Sequence, residues 1–468
     1  MGGMAEVVHP DDGVGREGAT AGVDGALRRS NAAQELVASV RSLLRGLLAR
    51  PLASYYLLVS SAGLLLIIGL AMVFSATSVK QIVTSGNAFT SVQKQGISAV
   101  VGLFAFWVCQ RLPIRTYRAL AKPGLIVAFG LIIALDVLGL LAQANVLDKP
   151  TFGPVHADLL WLYLGPLQLQ PSELAKMALA VWVADVLVRK GSEAGAWSEL
   201  SRPLFPVAGL LCVLVGLNDL GTMLCLVVLF VGMLWADGVR LRVFAGMFTV
   251  ALAGVMALIY LPGRSTYRHG RLDAFLHPEL HQLGDAYQVQ EGLFAIANGG
   301  WFGVGLGEGR LKWGWLPNGH NDFIFAVIAE ELGVMGCLVV LGLFGVLAYT
   351  GLRIARRVTN PFRRLVAAGV TALIAGQATI NIGGVVGLMP VTGLPLPLIS
   401  DGGSALVVTL AMIGMLASFA RAEPEAARAL HARPPGRLAR LLWAPLPPLP
   451  VRRGSAASRE RERGSDDG

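Results

Sequence analysis

About ten stretches of this chain are apolar and long enough, or nearly so, to cross a lipid bilayer, and they constrain the fold more than any motif. A helix needs roughly 20 mainly apolar residues to span hydrocarbon. The stretches run at about 55–77, 92–110, 123–142, 172–188, 203–217, 221–237, 243–262, 322–351, 365–388 and 404–420. The fifth and sixth are short and read also as halves of one hairpin through Asn218 and Asp219. With 54% hydrophobic and 15% charged residues in 468, a soluble protein is excluded. The expected fold is all-α, a polytopic membrane protein with about ten transmembrane helices.

Arginine and lysine placement gives the orientation, because cytoplasmic loops carry the excess of basic residues. Arg28, Arg29, Arg41, Arg45 and Arg50 precede the first span; Arg111, Arg115, Arg118 and Lys122 follow the second. Arg189, Lys190 and Arg202, then Arg240 and Arg242, then Arg353, Arg356, Arg357, Arg363 and Arg364 fall on the same side. Both termini are therefore expected in the cytoplasm. The loops at about 78–91, 143–171, 218–220, 263–321 and 389–403 then lie outside. The formal charge of +9 sits beside the spans, so no nucleic-acid partner is indicated.

Three regions follow: an arm over 1–50, a transmembrane domain over 51–421 with its large outer loop at 263–321, and a tail over 422–468. The arm shows no cleavable signal peptide. Leu36, Val40, Leu43 and Leu47 recur at helical spacing, which fits an interfacial helix or a solvated arm. The tail, rich in Arg, Pro and Ala, reads as largely disordered and as a contact site for partners. Cys109, Cys212, Cys225 and Cys337 all lie in apolar spans and read as small hydrophobes, with no metal-ligand spacing.

Polar residues converge on the outer side. Gln170, Pro171, Ser172, Glu173 and Lys176 begin the fourth span, where Ser172 is expected to cap the helix and Glu173 to suit its dipole. Asp219 sits on the next outer turn. The stretch LPNGHNDFIFAVIAEELG at 316–333 carries His320 and Asp322 into the eighth span, with Glu330 and Glu331 deeper. Glu330 lies on the order of 12 Å beyond Asp322 at 1.5 Å per residue. Such acids need partners, water or a function. Asp401 and Ser404, in PLPLISDGGS, lead into the last span. Elsewhere, Asp185 and Arg189 are spaced for an ion pair. Gln377 and Asn381 are expected to hydrogen-bond between helices, Asp136 shows no partner, and Trp301, Trp313 and Trp315 suit an interfacial belt. From spacing alone Asp322 is either a helix cap or a reactive carboxylate.

QPSELAK at 170–176, NDLGT at 218–222, the run 287–333 and NIGGVVGLMPVTGLPLPLISDGGS at 381–404 resemble the SEDS family (shape, elongation, division and sporulation). The resemblance covers about 50–421 and is nearest to the division branch of actinobacteria, with the elongation branch the close alternative. It implies a peptidoglycan glycosyltransferase that polymerises lipid II at the outer face, working with a class B penicillin-binding protein and other division proteins. The donor would be the undecaprenyl-pyrophosphate-linked glycan. The resemblance makes Asp322 the catalytic residue and Lys176 the helix lysine. Glu173, His320, Ser172, Lys312, Arg271 and Ser404 complete the expected substrate-binding set. Lys176, Arg264, Arg268, Arg271 and Lys312 are the candidates for holding the pyrophosphate. A divalent cation, Mg2+ or Mn2+, is a possible cofactor, and no metal-ligand residues are assigned. The chain departs from the family pattern at Leu160 before Trp161, at Leu217 and Asn218, at Glu291, and at Asp401 where a tyrosine is usual. A lipid flippase is the rival reading, and a non-catalytic scaffold another.

Overall fold

The computed structural model describes residues 48–143, 151–152, 155–157, 160–164, 167–190, 202–259, 265–277, 286–310, 313, 316, 319–432 and 445–449, with isolated positions 2, 39, 42, 46 and 436. It divides into two units, Met1–Ala53 and Ser54–Gly468. Most of the first unit, including Leu36, Val40, Leu43 and Leu47, lies outside the described residues, as do 433–435, 437–444 and 450–468 of the tail.

The second unit is a bundle of long helices. They are α1 (Ala53–Ser85), α2 (Thr90–Arg111), α3 (Ile114–Gln143), α4 (Pro171–Lys190), α5 (Leu204–Asn218), α6 (Leu220–Asp237) and α7 (Leu241–Ile259). Two shorter helices, α8 (Ser265–Leu276) and α9 (Tyr287–Gly299), lie in the large loop. The chain then forms α10 (Ile324–Arg357), α11 (Pro361–Val385), α12 (Gly403–Arg421) and α13 (Pro424–Ala432). Each expected span falls on a helix. Among the described residues seven helices are long and apolar enough to cross a membrane; α5 and α7 are apolar but shorter. In α4, Glu173, Lys176 and Asp185 interrupt the hydropathy although it runs 20 residues.

Three features differ from the sequence expectation. First, α3 begins at Ile114 and carries Pro123 in its interior, where a start had been read. Proline is tolerated within membrane helices because neighbouring groups re-satisfy the freed carbonyl. Second, the loop before α4 holds a small antiparallel meander, β1 (Thr151–Phe152), β2 (Val155–Ala157), β3 (Leu162–Leu164) and β4 (Leu167–Leu169), in the order β1-β2-β3-β4. Strands this short give no readable alternation. Third, the tail begins with α13, which buries Ala426, Ala427 and Leu430 at helical spacing. Arg357 ties it down through Glu425 at 3.2 Å and Glu423 at 3.7 Å.

Small residues allow the tightest packing. α12, the most enclosed span, packs chiefly on α2. There a side chain at Gly414 would run into the backbone of Phe106, and one at Gly102 into Leu410. At the basic end, Asp185 is 1% exposed, accepts from Arg118 Nε at 2.6 Å and forms an ion pair with Arg189 Nε at 2.8 Å. The expected i,i+4 pair is thus one of two ion pairs on this carboxylate. Asp136 has a partner as well, since it accepts from the Asn218 side-chain amide. Cys109 and Cys225 are buried, Cys212 and Cys337 half-buried, and all four are free thiols.

α10 is broken at Gly333, whose φ of 67° and ψ of −166° are not helical. The glycine-rich segment after α9 enters the break. Val304 N–H donates to Glu330 O (2.9 Å) and Gly305 N–H to Glu331 O (3.1 Å), while Val334 and Met335 N–H donate to Gly300 O (3.0 Å) and Trp301 O (3.2 Å). Backbone groups released by the break are satisfied by another backbone, as hydrocarbon demands. Both acids join this seam. Glu330 accepts from Arg310 N–H at 2.9 Å, and Glu331 from Gly307 N–H at 3.1 Å and from Ser75 Oγ of α1 at 2.6 Å. They hold the seam and α1. Trp301 and Trp313 are both 67% exposed, as belt residues should be, and Trp315 lies outside the described residues.

Candidate active site

α2, α4, α6, α10 and α12 all run away from the end of the bundle read as outer, so five helix N-termini gather there. Between them lies a cavity of about 900 Å³. Its wall takes Ser91, Lys94 and Ser98 from α2, Leu160, Trp161, Tyr163 and Gln168 from the meander, and Gln170 and Glu173 from the start of α4. Asn218, Asp219 and Thr222 come from the α5–α6 turn, His320 and Asn321 from the approach to α10, and Asp401 to Gly403 from the approach to α12. Residues far apart in sequence are brought to one place by the alternating direction of the helices.

The expected site residues divide between the cavity wall and the structure behind it. Glu173 and His320 line the cavity. Lys176 does not: it is fully buried, and its ammonium donates to Glu173 Oε1 at 2.7 Å and Gln377 Oε1 at 3.0 Å. Ser172 is not the helix cap, because α4 already begins at Pro171; its hydroxyl is buried and makes no hydrogen bond. Ser404 Oγ accepts from Gln170 N–H at 3.1 Å, joining the starts of α12 and α4. Arg268 and Arg271 fall on α8, with side chains outside the described residues, and Lys312 and Arg264 lie outside them altogether.

Asp322 is 5% exposed and directly follows two lining residues. The N-cap position of α10 belongs to Phe323, which makes no side-chain cap bond. Asp219 is a true cap, accepting from Thr222 N–H at 2.9 Å and Thr222 Oγ1 at 2.6 Å. Among the described residues the lysine that does face the cavity is Lys94, one turn into α2, with its side chain exposed. Sequence reasoning missed it, because a lysine at a span's end reads as an interfacial residue. Burial and the nearby Lys80 hold His320 below its ordinary pKa. Burial pushes the Asp401 carboxyl up to about 6 against the pull of Lys94. Among the described residues no group of three or more His, Cys, Asp or Glu is set to hold a metal ion.

Helices of this length around a polar cavity at one end define a polytopic helical membrane protein with a membrane-embedded site. The chain belongs to the family described as cell cycle protein, that of FtsW, RodA and SpoVE, whose profile matches residues 55–425. It is 40% identical over 417 residues to the probable peptidoglycan glycosyltransferase FtsW of Mycobacterium tuberculosis, covering 88% of this chain and 77% of that one. It is 32% identical over 369 residues to stage V sporulation protein E of Bacillus subtilis, covering 78% and 96%. A chain solved in work titled "Structural coordination of polymerization and crosslinking by a peptidoglycan synthase complex" superposes with a TM-score of 0.60 at 26% identity, covering 78% of this chain and 96% of that one. The rod shape determining protein RodA of Thermus thermophilus superposes at 0.52 and 25% identity, covering 78% and 96%.

Proposed function

We propose that this chain is a peptidoglycan glycosyltransferase that polymerises lipid II at the outer face of the plasma membrane, in septal synthesis. The observation that carries the reading is the cavity at the end of the bundle read as outer, with Asp322 immediately behind its His320–Asn321 wall. The FtsW relatives at 40% identity favour division over elongation.

Glycosyl transfer joins the acceptor's 4-hydroxyl oxygen to the donor's anomeric carbon as the bond from that carbon to the pyrophosphate breaks. Asp322 takes the hydroxyl proton as general base. Attack opposite the leaving group inverts the centre, giving a β-1,4 linkage and undecaprenyl pyrophosphate. The anion developing on the leaving group needs positive charge already in place. Lys94 and the convergent helix N-termini supply it. Glu173 and Lys176 neutralise each other and stiffen the wall. The polyprenyl tails stay in the lipid beside the bundle.

A divalent cation remains an expectation. The described residues offer no complete cage for one, so no step is routed through it; Mg2+ is often held by one or two carboxylates together with substrate phosphates. A class B penicillin-binding protein is the proposed partner, cross-linking the strand that this chain extends.

The test uses the purified chain with its penicillin-binding partner and lipid II, with glycan polymer resolved on a gel. Polymer from wild type and none from Asp322→Asn supports the reading. Equal polymer from both removes Asp322 as base. Lipid translocation in vesicles without polymer would replace the enzyme with a flippase.

A further inference from the structure

Three consecutive backbone carbonyls ahead of α10 are each held by a separate donor. His320 O accepts from Asp401 N–H at 3.1 Å, Asn321 O from Ser400 Oγ at 2.5 Å, and Asp322 O from Asn381 Nδ2 at 2.7 Å. The bonds opening α10 run from Ala326 and Val327 N–H to Phe323 O, so these carbonyls precede the helix ladder. The donors lie 59 to 81 residues later in the chain, on α11 and in the loop before α12.

The same donors are fixed from behind. Asn381 Nδ2 also donates to Leu394 O at 2.7 Å, while its Oδ1 is buried without a hydrogen bond. Turning the amide over would set that oxygen against two carbonyls, so the two acceptors dictate its orientation. Ser400 Oγ accepts from Leu396 N–H at 2.7 Å, and Ser400 O accepts from Gln95 Nε2 at 3.1 Å. Between them Leu398 stands at φ 66°, the one non-glycine residue with positive φ among the described residues. A conformation of that kind persists only where its surroundings over-determine it. Gly69 of α1 packs its α-carbon against the Leu398–Ile399 backbone and leaves no room for a side chain.

We infer that Asn381 and Ser400 are positioning residues for Asp322, setting the backbone from which its carboxylate is aimed. The inference rests on Asp322 being the base proposed above. These side chains bond to backbone groups around Asp322, so they act on geometry in the transition state more than on substrate affinity. A misplacement of the order of 1 Å can cost about 100-fold in rate.

Steady-state polymerisation by the chain with its penicillin-binding partner tests this, with thermal unfolding of each variant measured alongside. Ser400→Ala and Asn381→Leu should each lower kcat about tenfold or more with KM for lipid II unchanged, the mark of an interaction made in the transition state. Ser400→Thr, which keeps the hydroxyl, should recover most of the kcat lost in Ser400→Ala. Full kcat in both Ser400→Ala and Asn381→Leu overturns the inference while leaving the base intact. So does a loss that merely follows Tm and that threonine does not repair. If Asp322→Asn polymerises like wild type, it is the reading of Asp322 as base that fails.

Discussion

The ammonium of Lys176 lies 2.7 Å from the carboxylate of Glu173, one turn back on α4, and both side chains are almost wholly buried. Removing one member of a buried pair strands the other charge, at about 3–5 kcal/mol, whereas replacing both with apolar groups of like volume is often near neutral. Lys176→Met should therefore lower thermal stability strongly, and Lys176→Met/Glu173→Leu should regain much of it. Unfolding in detergent checks this, and a double variant no more stable than the single would deny the pair its structural role.

Asp401 gives the cavity a pH dependence. Its carboxyl titrates at about 6 against an ordinary 3.8, so the folded protein favours the protonated form. Stability from this source is complete below the ordinary value and is lost as pH rises through about 6. Asp401→Asn should abolish that part of the Tm decline. Above pH 6 the variant should also bind undecaprenyl pyrophosphate more tightly, since a negative charge beside Lys94 is gone. Tm and product inhibition measured across this range decide both.

Lys94 should matter for binding the leaving group more than for folding, since its side chain is exposed. Lys94→Met is expected to weaken product inhibition by undecaprenyl pyrophosphate and its sensitivity to salt, with Tm little changed. A large drop in Tm with unaltered inhibition would mean that Lys94 is a structural residue.

The seam at Gly333 should be intolerant of added atoms. A side chain at Gly299 would overlap Ala329 O, and one at Gly303, where φ is also 80°, would overlap Glu331 O. Gly299→Ala and Gly303→Ala should each fail to accumulate as folded protein. Ser75→Ala should be milder, costing about 1.5–3 kcal/mol for one hydrogen bond to a charged group. Expression and Tm measure the series.

The spans were legible because length and hydropathy are local properties, and Asp185–Arg189 because i,i+4 spacing is local too. What depends on distant backbone was not. Nothing in the spelling of Glu330 and Glu331 shows that their partners include the N–H groups of Arg310 and Gly307. Asp136 and Asn218 are 82 residues apart, and only the packing of α3 beside α5 joins them. At the site, Glu173 and His320 could be read in advance as facing the cavity. Lys176 could not be read as turned away from it, because its burial depends on Gln377 of α11.

The break in α10 separates two settings of register. The part before it, 324–332, is about 13 Å long at 1.5 Å per residue, too short to span hydrocarbon by itself. Its depth is set by the backbone of 300–305 paired across Gly333. The part beyond it starts on the same backbone, through Val334 and Met335 N–H on Gly300 O and Trp301 O, and runs on as part of a helix whose main packing partner is α11. A residue deleted from the inner half beyond Met335 would leave Asp322 where it stands. A residue deleted between Gly300 and Arg310 would draw the start of α10 by a residue's rise and carry Asp322 out of line with the cavity.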